Sequence, residues 1–158
     1  MKPFLRKLVQ QHKLQLVEES ENVAQGYLLR SAKTLQSAKA LLSLGNLEDA
    51  IALTYYSMYY ELLALLFRVG IKCENHAAAI FLLKEIFDVD NANLERAKKE
   101  RVDKQYYLDF SVTAKEVKDA ITIAEESNAL LLQVISTLTR DTIDKARNKF
   151  QQSIEKKK

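Results

Sequence analysis

Arginine, histidine and tyrosine are the residue types here that suit phosphate chemistry, and three stretches hold the candidates. Arg101 is followed by Asp103, Tyr106 and Tyr107; His76 follows Asn75; and Tyr55, Tyr56, Tyr59 and Tyr60 crowd together just before Glu61. A guanidinium holds a phosphate through a fixed fork of donors and stays charged. An imidazole can shuttle a proton near neutral pH. A tyrosine of ordinary pKa, about 10, is a poor base at neutral pH but can donate a hydrogen bond or stack on a nucleobase. Arg101 with Asp103, Tyr106 and Tyr107, and Glu61, Tyr56 and His76, are the side chains to weigh.

Each of these has a structural reading beside the functional one. Glu61 is a carboxylate on an otherwise apolar helix and needs a partner, and Arg101 across the bundle could supply it. If so, Glu61→Gln should destabilise the fold. His76, in the first turn of a helix, could simply bond a neighbouring backbone group. The clustered tyrosines, at helical spacing, could be core and interface residues. His12 falls on the apolar stripe of a first helix, which favours a packed histidine. Cys73 lies in a loop with only Lys72 nearby to lower its pKa, so a nucleophilic role is not expected. One Cys and two His offer no zinc-ligand spacing, so neither metal nor cofactor is expected.

The elements that must position these side chains read as helices. With three glycines, one proline and no tryptophan in 158 residues, long stretches lack breakers. A first helix is expected over residues 3–18, with Pro3 suited to its start. Ser20 caps a second that runs to about Leu44 with the seam Ala24, Leu28, Ser31, Leu35, Ala38, Leu42, and Gly45 ends it. Asn46 opens a third, apolar almost all round, whose polar residues Thr54, Ser57, Glu61 and Arg68 fall on one narrow stripe. A loop over 71–74 leads to a fourth helix, capped by Asn75 and ending near Phe87. Residues 88–110 are polar and interrupted, with a short helix expected around 94–102. Thr113 and Glu116 form a capping box for a long helix with the seam Val117, Ile121, Ala124, Asn128, Leu131, Ile135, Leu138. Beyond Thr139 the stripe slips to Ile143, Ala146, Phe150 and Ile154, so that helix either continues or gives way to a separate one. The expected fold is all-α: an antiparallel bundle of four to five helices with an extra helix at each end, in one domain over 1–158.

Composition sets the wider bounds. A formal charge of +3, from 24 basic and 21 acidic residues, is too even to argue for nucleic-acid binding alone. The run Ala50–Phe67 contains Thr54, Ser57 and Glu61, which favours a buried core helix over a membrane span. A single cysteine and no visible signal peptide point to a cytoplasmic setting. The third helix has more apolar circumference than a short bundle easily covers, so a symmetric homodimer is expected.

Three of these stretches, in order, resemble the HEPN family. The string Ala50 to Leu63, with Tyr55-Tyr56-Ser57-Met58-Tyr59, is similar to the central HEPN helix. Gly70-Ile71-Lys72, Asn75-His76 and an apolar helix ending in Phe87 follow, and then Arg101, Asp103 and Tyr106 before the capping box. The likeness spans about residues 20–138, with 139–158 a helical extension. It implies a dimeric helical bundle, often a toxin paired with a small nucleotidyltransferase antitoxin, and in active toxins a metal-independent ribonuclease using Arg, four to six residues, then His. Here the positions where that His would stand are Tyr106, Tyr107 and Leu108. Arg6 and His12 have the spacing but lie outside the matching region. The expected function is thus a dimeric binding or regulatory module, with a nucleotidyltransferase partner, a nucleotide or RNA as what it binds. The resemblance makes Arg101, Glu61, Tyr56 and His76 the binding candidates; a divergent ribonuclease with Arg101, Tyr106, Tyr107 and Asp103 as its catalytic candidates, and a structural helical adaptor, are the alternatives.

Overall fold

The structure, a computed structural model, describes residues 3–106 and 111–155, without the side chains of residues 105 and 106. It is built from helices α1 (Pro3–Gln10), α2 (Glu21–Ser43), α3 (Leu47–Arg68), α4 (His76–Phe87), α5 (Ala92–Tyr106), α6 (Ala114–Ser136) and α7 (Arg140–Ile154). Two short strands, β1 (Leu14–Leu16) and β2 (Ile71–Cys73), pair antiparallel with Leu14 opposite Cys73 and Leu16 opposite Ile71.

The boundaries follow the caps. Ser20 accepts the Val23 amide, Asn75 accepts the Ala78 amide, and Thr113 and Glu116 complete their reciprocal capping box. Asn46 holds the N-cap position of α3 without a side-chain capping bond. Gly45 ends α2 with φ 78°. At the far end Thr139 caps α7, so the slip in the stripe marks a separate helix.

Four expectations need correction. The first helix stops at Gln10, because His12 takes a left-handed φ of 55° and the chain turns into β1; His12 is exposed rather than packed. Residues 71–73 form a strand, not a loop, and Cys73 is buried there, where burial pushes its thiol pKa up to about 11. The helix expected near 94–102 runs from Ala92 to Tyr106. The three-residue strands escape pattern reading because each is shorter than the window in which a period can repeat.

Helix α3 is the axis of the bundle, packed against α2, α6, α5 and α4. By length and hydropathy it could cross a membrane, but 72% of its most apolar window is buried inside the protein. The main core cluster runs from Leu5 to Phe150 through Tyr55, Met58, Leu62 and Leu66, and a smaller one joins Ile51 to Val117 and Ile121.

Where the seams of α2, α3 and α6 meet, the side chains are polar. Ser31 Oγ donates to the Ser57 carbonyl at 2.9 Å, and Ser57 Oγ returns a bond to the Ser31 carbonyl at 3.0 Å. Asn128 Nδ2 donates to Ser57 Oγ at 2.9 Å and to Ser31 Oγ at 3.3 Å. Removing one member strands the others in a dry site. Ser57→Ala is therefore expected to destabilise the protein by about 1–3 kcal/mol, read from chemical denaturation; an unchanged midpoint would show the network to be idle.

The C-terminal helix is fastened by arginine. Arg147 Nη1 donates to the carbonyls of Val17 at 3.0 Å and Val69 at 2.8 Å. Arg140 grips both carboxylate oxygens of Glu19, at 2.6 and 3.0 Å. This holds α7 over the junction between α3 and β2, with Phe150 fully buried.

Candidate functional site

Helices α3, α4 and α5 bring the separated candidates together. On α5, Leu94 is buried against the core, and Lys98 and Arg101 follow at steps of four and three on the same face. Arg101 thereby reaches α3, where its Nη1 donates to Tyr56 Oη at 2.6 Å. Its Cζ lies 5.3 Å from the Tyr56 ring centroid and 5.4 Å from that of Tyr55. Its Nε is buried with no partner among the described residues.

His76 enters from the other side, as the first residue of α4. Its Nδ1 is 2.6 Å from Tyr55 Oη, and its ring stacks on Tyr59 with centroids 3.9 Å apart. Tyr55 and Tyr56 thus stand between the imidazole and the guanidinium and touch both. Burial lowers the His76 pKa first, and the nearby charges of Arg101 and Lys98 lower it further. Burial raises the Tyr55 hydroxyl well above its ordinary value, with Arg101 pulling the other way. At neutral pH His76 is therefore a neutral imidazole and Tyr55 a neutral phenol, beside a guanidinium that stays charged.

The local field favours an anion. The first turn of α4 carries no acidic residue, and Glu74 just before its cap is paired with Lys72. Among the described residues no carboxylate pairs with Arg101 or Lys98.

The sequence candidates divide accordingly. Arg101, Tyr56 and His76 converge. Glu61 does not join them, and the expected Glu61–Arg101 pair is absent. Tyr56 and Glu61 are five residues apart on α3 and so point to different sides. Glu61 is 5% exposed, in the interior beside Ser31. Its pKa is raised by burial, with the neighbouring Ser31 hydroxyl opposing. The consequence for Glu61→Gln reverses. A raised folded-state pKa means that the protonated form is favoured in the fold, so stability falls as pH climbs above the ordinary value of 4.5. The amide escapes that cost. Glu61→Gln is expected to stabilise the protein by about 1 kcal/mol at neutral pH and not at pH 4; denaturation at the two pH values checks this.

Asp103 sits about 200° around α5 from Arg101 and takes no part in the cluster. The Tyr106 side chain and Tyr107 lie outside the described residues. Sequence reading overlooked Tyr55 as the bridge and Lys98 as a second cation; the step from Leu94 to Lys98 to Arg101 was the available signal. Beyond Arg101, a cavity of about 280 Å³ opens between α3, α5 and α6, walled by Ile51, Met58, Ala97 and Ile123, with Tyr55 on its boundary.

Comparison with curated proteins finds no match. The HEPN domain family model matches residues 24–133, which takes in nearly all of α2 and α6 and everything between them. With that match over more than half its length and a helical bundle with only a small two-stranded sheet to go with it, the chain belongs to the HEPN family.

Proposed function

We propose that this protein is a HEPN binding or regulatory module whose ligand carries phosphate, a nucleotide or RNA, held by Arg101 with His76 and Tyr56. The observation that carries the reading is a cation without a described counter-ion, bracketed by two tyrosines and set against the N-terminus of α4. A phosphate would take the guanidinium fork and the Tyr56 hydroxyl together, close to the positive end of α4. His76 Nδ1 is engaged by Tyr55, which leaves Nε2 for the ligand. Titrating the protein with uridine monophosphate while following the His76 ring resonances tests this. Saturable shifts that vanish in Arg101→Ala are expected, and their absence in the unaltered protein would refute the reading.

A second reading, a metal-independent ribonuclease, is favoured by one observation: an imidazole kept neutral stands beside the arginine, although it precedes it in sequence. In that case the Nδ1–H of His76 donates to Tyr55 Oη, and its Nε2 takes the proton of a ribose 2′-hydroxyl as O2′ bonds to phosphorus; the bond from phosphorus to the 5′-oxygen breaks and that oxygen takes a proton from water, with Arg101 on the phosphoryl oxygens. Cleavage of single-stranded RNA in the presence of a chelator, lost in His76→Ala, would select it. The proposal extends to the family's usual company, a second copy and a small nucleotidyltransferase antitoxin. Sedimentation and the identity of the neighbouring gene address these.

A further inference from the structure

The cavity of about 280 Å³ between α3, α5 and α6 has a chemistry of its own. Its floor is Ile51, Thr54, Tyr55 and Met58, all buried. Thr54 commits its hydroxyl to the Ala50 carbonyl at 2.8 Å, and the Tyr55 hydroxyl is bonded to His76, so the interior offers carbon. The rim is charged, and most of its charges are engaged. Lys104 pairs with Glu116 at 3.2 Å and donates to the Ser111 carbonyl; Asp119 pairs with Lys115 at 2.8 Å. Two charges are left over on α5. The half-buried Glu100 side chain has no ion pair or hydrogen bond among the described residues, and Arg96 donates only to Asn93, at 3.3 Å. They stand one turn apart with the cation first, the weaker order for an i,i+4 pair, and they do not pair with each other.

We infer that this cavity binds a small aliphatic α-amino acid, with its side chain on the Ile51–Met58 floor, its ammonium on Glu100 and its carboxylate on Arg96. A zwitterion meets both unpaired charges at once, and an α-amino acid carries its two on one carbon, where side chains a single turn apart can clasp them. The volume lies just under the roughly 300–1,000 Å³ of sites that take drug-sized ligands, so the occupant is small. A phosphate-bearing ligand is opposed by the carboxylates of Glu100, Glu116 and Asp119, which outnumber the cations Arg96 and Lys104 on the rim. A simple carboxylic acid would leave Glu100 unpaired, and a simple amine Arg96. The inference stands apart from the reading of Arg101 as a phosphate ligand.

Calorimetric titration compares L-leucine with three probes. The acid 4-methylpentanoate and the amine isopentylamine keep the side chain and drop one charge each; glycine keeps both charges and drops the side chain. Leucine should bind at least about tenfold more tightly than any of them, since a buried aliphatic group and a charge-assisted hydrogen bond are each worth that much. Glu100→Gln should weaken leucine by about tenfold and leave 4-methylpentanoate unchanged. Arg96→Gln, at an exposed position, should weaken leucine and spare isopentylamine. Ala97→Leu puts a side chain into the cavity from α5 and should abolish leucine binding while the melting temperature holds, because leucine is also a good helix former. A protein that leucine does not saturate at millimolar concentration overturns the site. Equal binding of leucine and its two single-charge analogues overturns it as well, because the cavity is then merely apolar. Leucine binding that survives Ala97→Leu in a folded protein puts the ligand elsewhere and is equally fatal.

Discussion

Gly70→Ala is expected to lower the stability of the protein by about 3 kcal/mol, and by more if the surroundings cannot yield. Two penalties add. The residue has φ 73°, a conformation that an L side chain adopts only at a cost. The new methyl would also stand 2.0 Å from Arg147 Nη1 and 2.5 Å from the Val17 carbonyl oxygen. The guanidinium can swing away, but only by surrendering its bonds to Val17 and Val69; the carbonyl belongs to the backbone and cannot. A thermal midpoint about 10 °C lower is the measurable form of this for a domain of such size. Gly26→Ala provides the control, because Gly26 sits inside α2 with open space around its Cα. There the same substitution should stabilise by up to about 1 kcal/mol. Equal effects at the two positions would show that neither the backbone conformation nor the arginine latch matters.

Arg101→Ala should cost between about tenfold and a hundredfold in affinity for uridine monophosphate, the range spanned by a hydrogen-bonded charge, while the melting temperature moves little. The residue is half-buried and satisfies only the Tyr56 hydroxyl, so the fold asks little of it. Arg101→Lys separates charge from geometry, since the ammonium keeps the first and loses the fork. The titration of His76 reports independently of affinity. Arg101 depresses the His76 pKa, so its removal should raise that pKa, and bound phosphate should do the same. Because a depressed histidine pKa disfavours the charged form in the fold, stability is lost as pH falls below the ordinary 6.5. Phosphate binding should strengthen in that same interval, as the imidazole gains its charge beside the ligand. A His76 titration that ignored both the substitution and the ligand would remove it from the site.

Much of this architecture was legible in side-chain pattern. The four-three seams of α2 and α6 and the caps at Ser20, Asn75 and Thr113 depend on local spacing and capping chemistry, which a sequence displays directly. The arrangement of the site was less so. Arg101, Tyr56 and His76 were each visible as chemistry, but their meeting depends on how α4 and α5 fold back across α3, and an order-dependent motif put the imidazole on the wrong side of the arginine. Glu61 was misassigned for a related reason. Its need for a partner was real, but helical spacing turns it towards Ser31, away from the side that carries Tyr56.

The seams of this bundle repeat every seven residues, and a repeat by itself permits sliding. Moved along by one heptad, α6 would present Ile121 or Ile135 where Asn128 now lies, and α2 would offer Ala24 or Ala38 in place of Ser31. Greasy contacts would tolerate either shift. The hydroxyls and amide would not, since a single alignment lets Ser31, Ser57 and Asn128 meet. That small polar knot indexes three helices against one another, and through them fixes where along α3 an arginine on α5 can arrive.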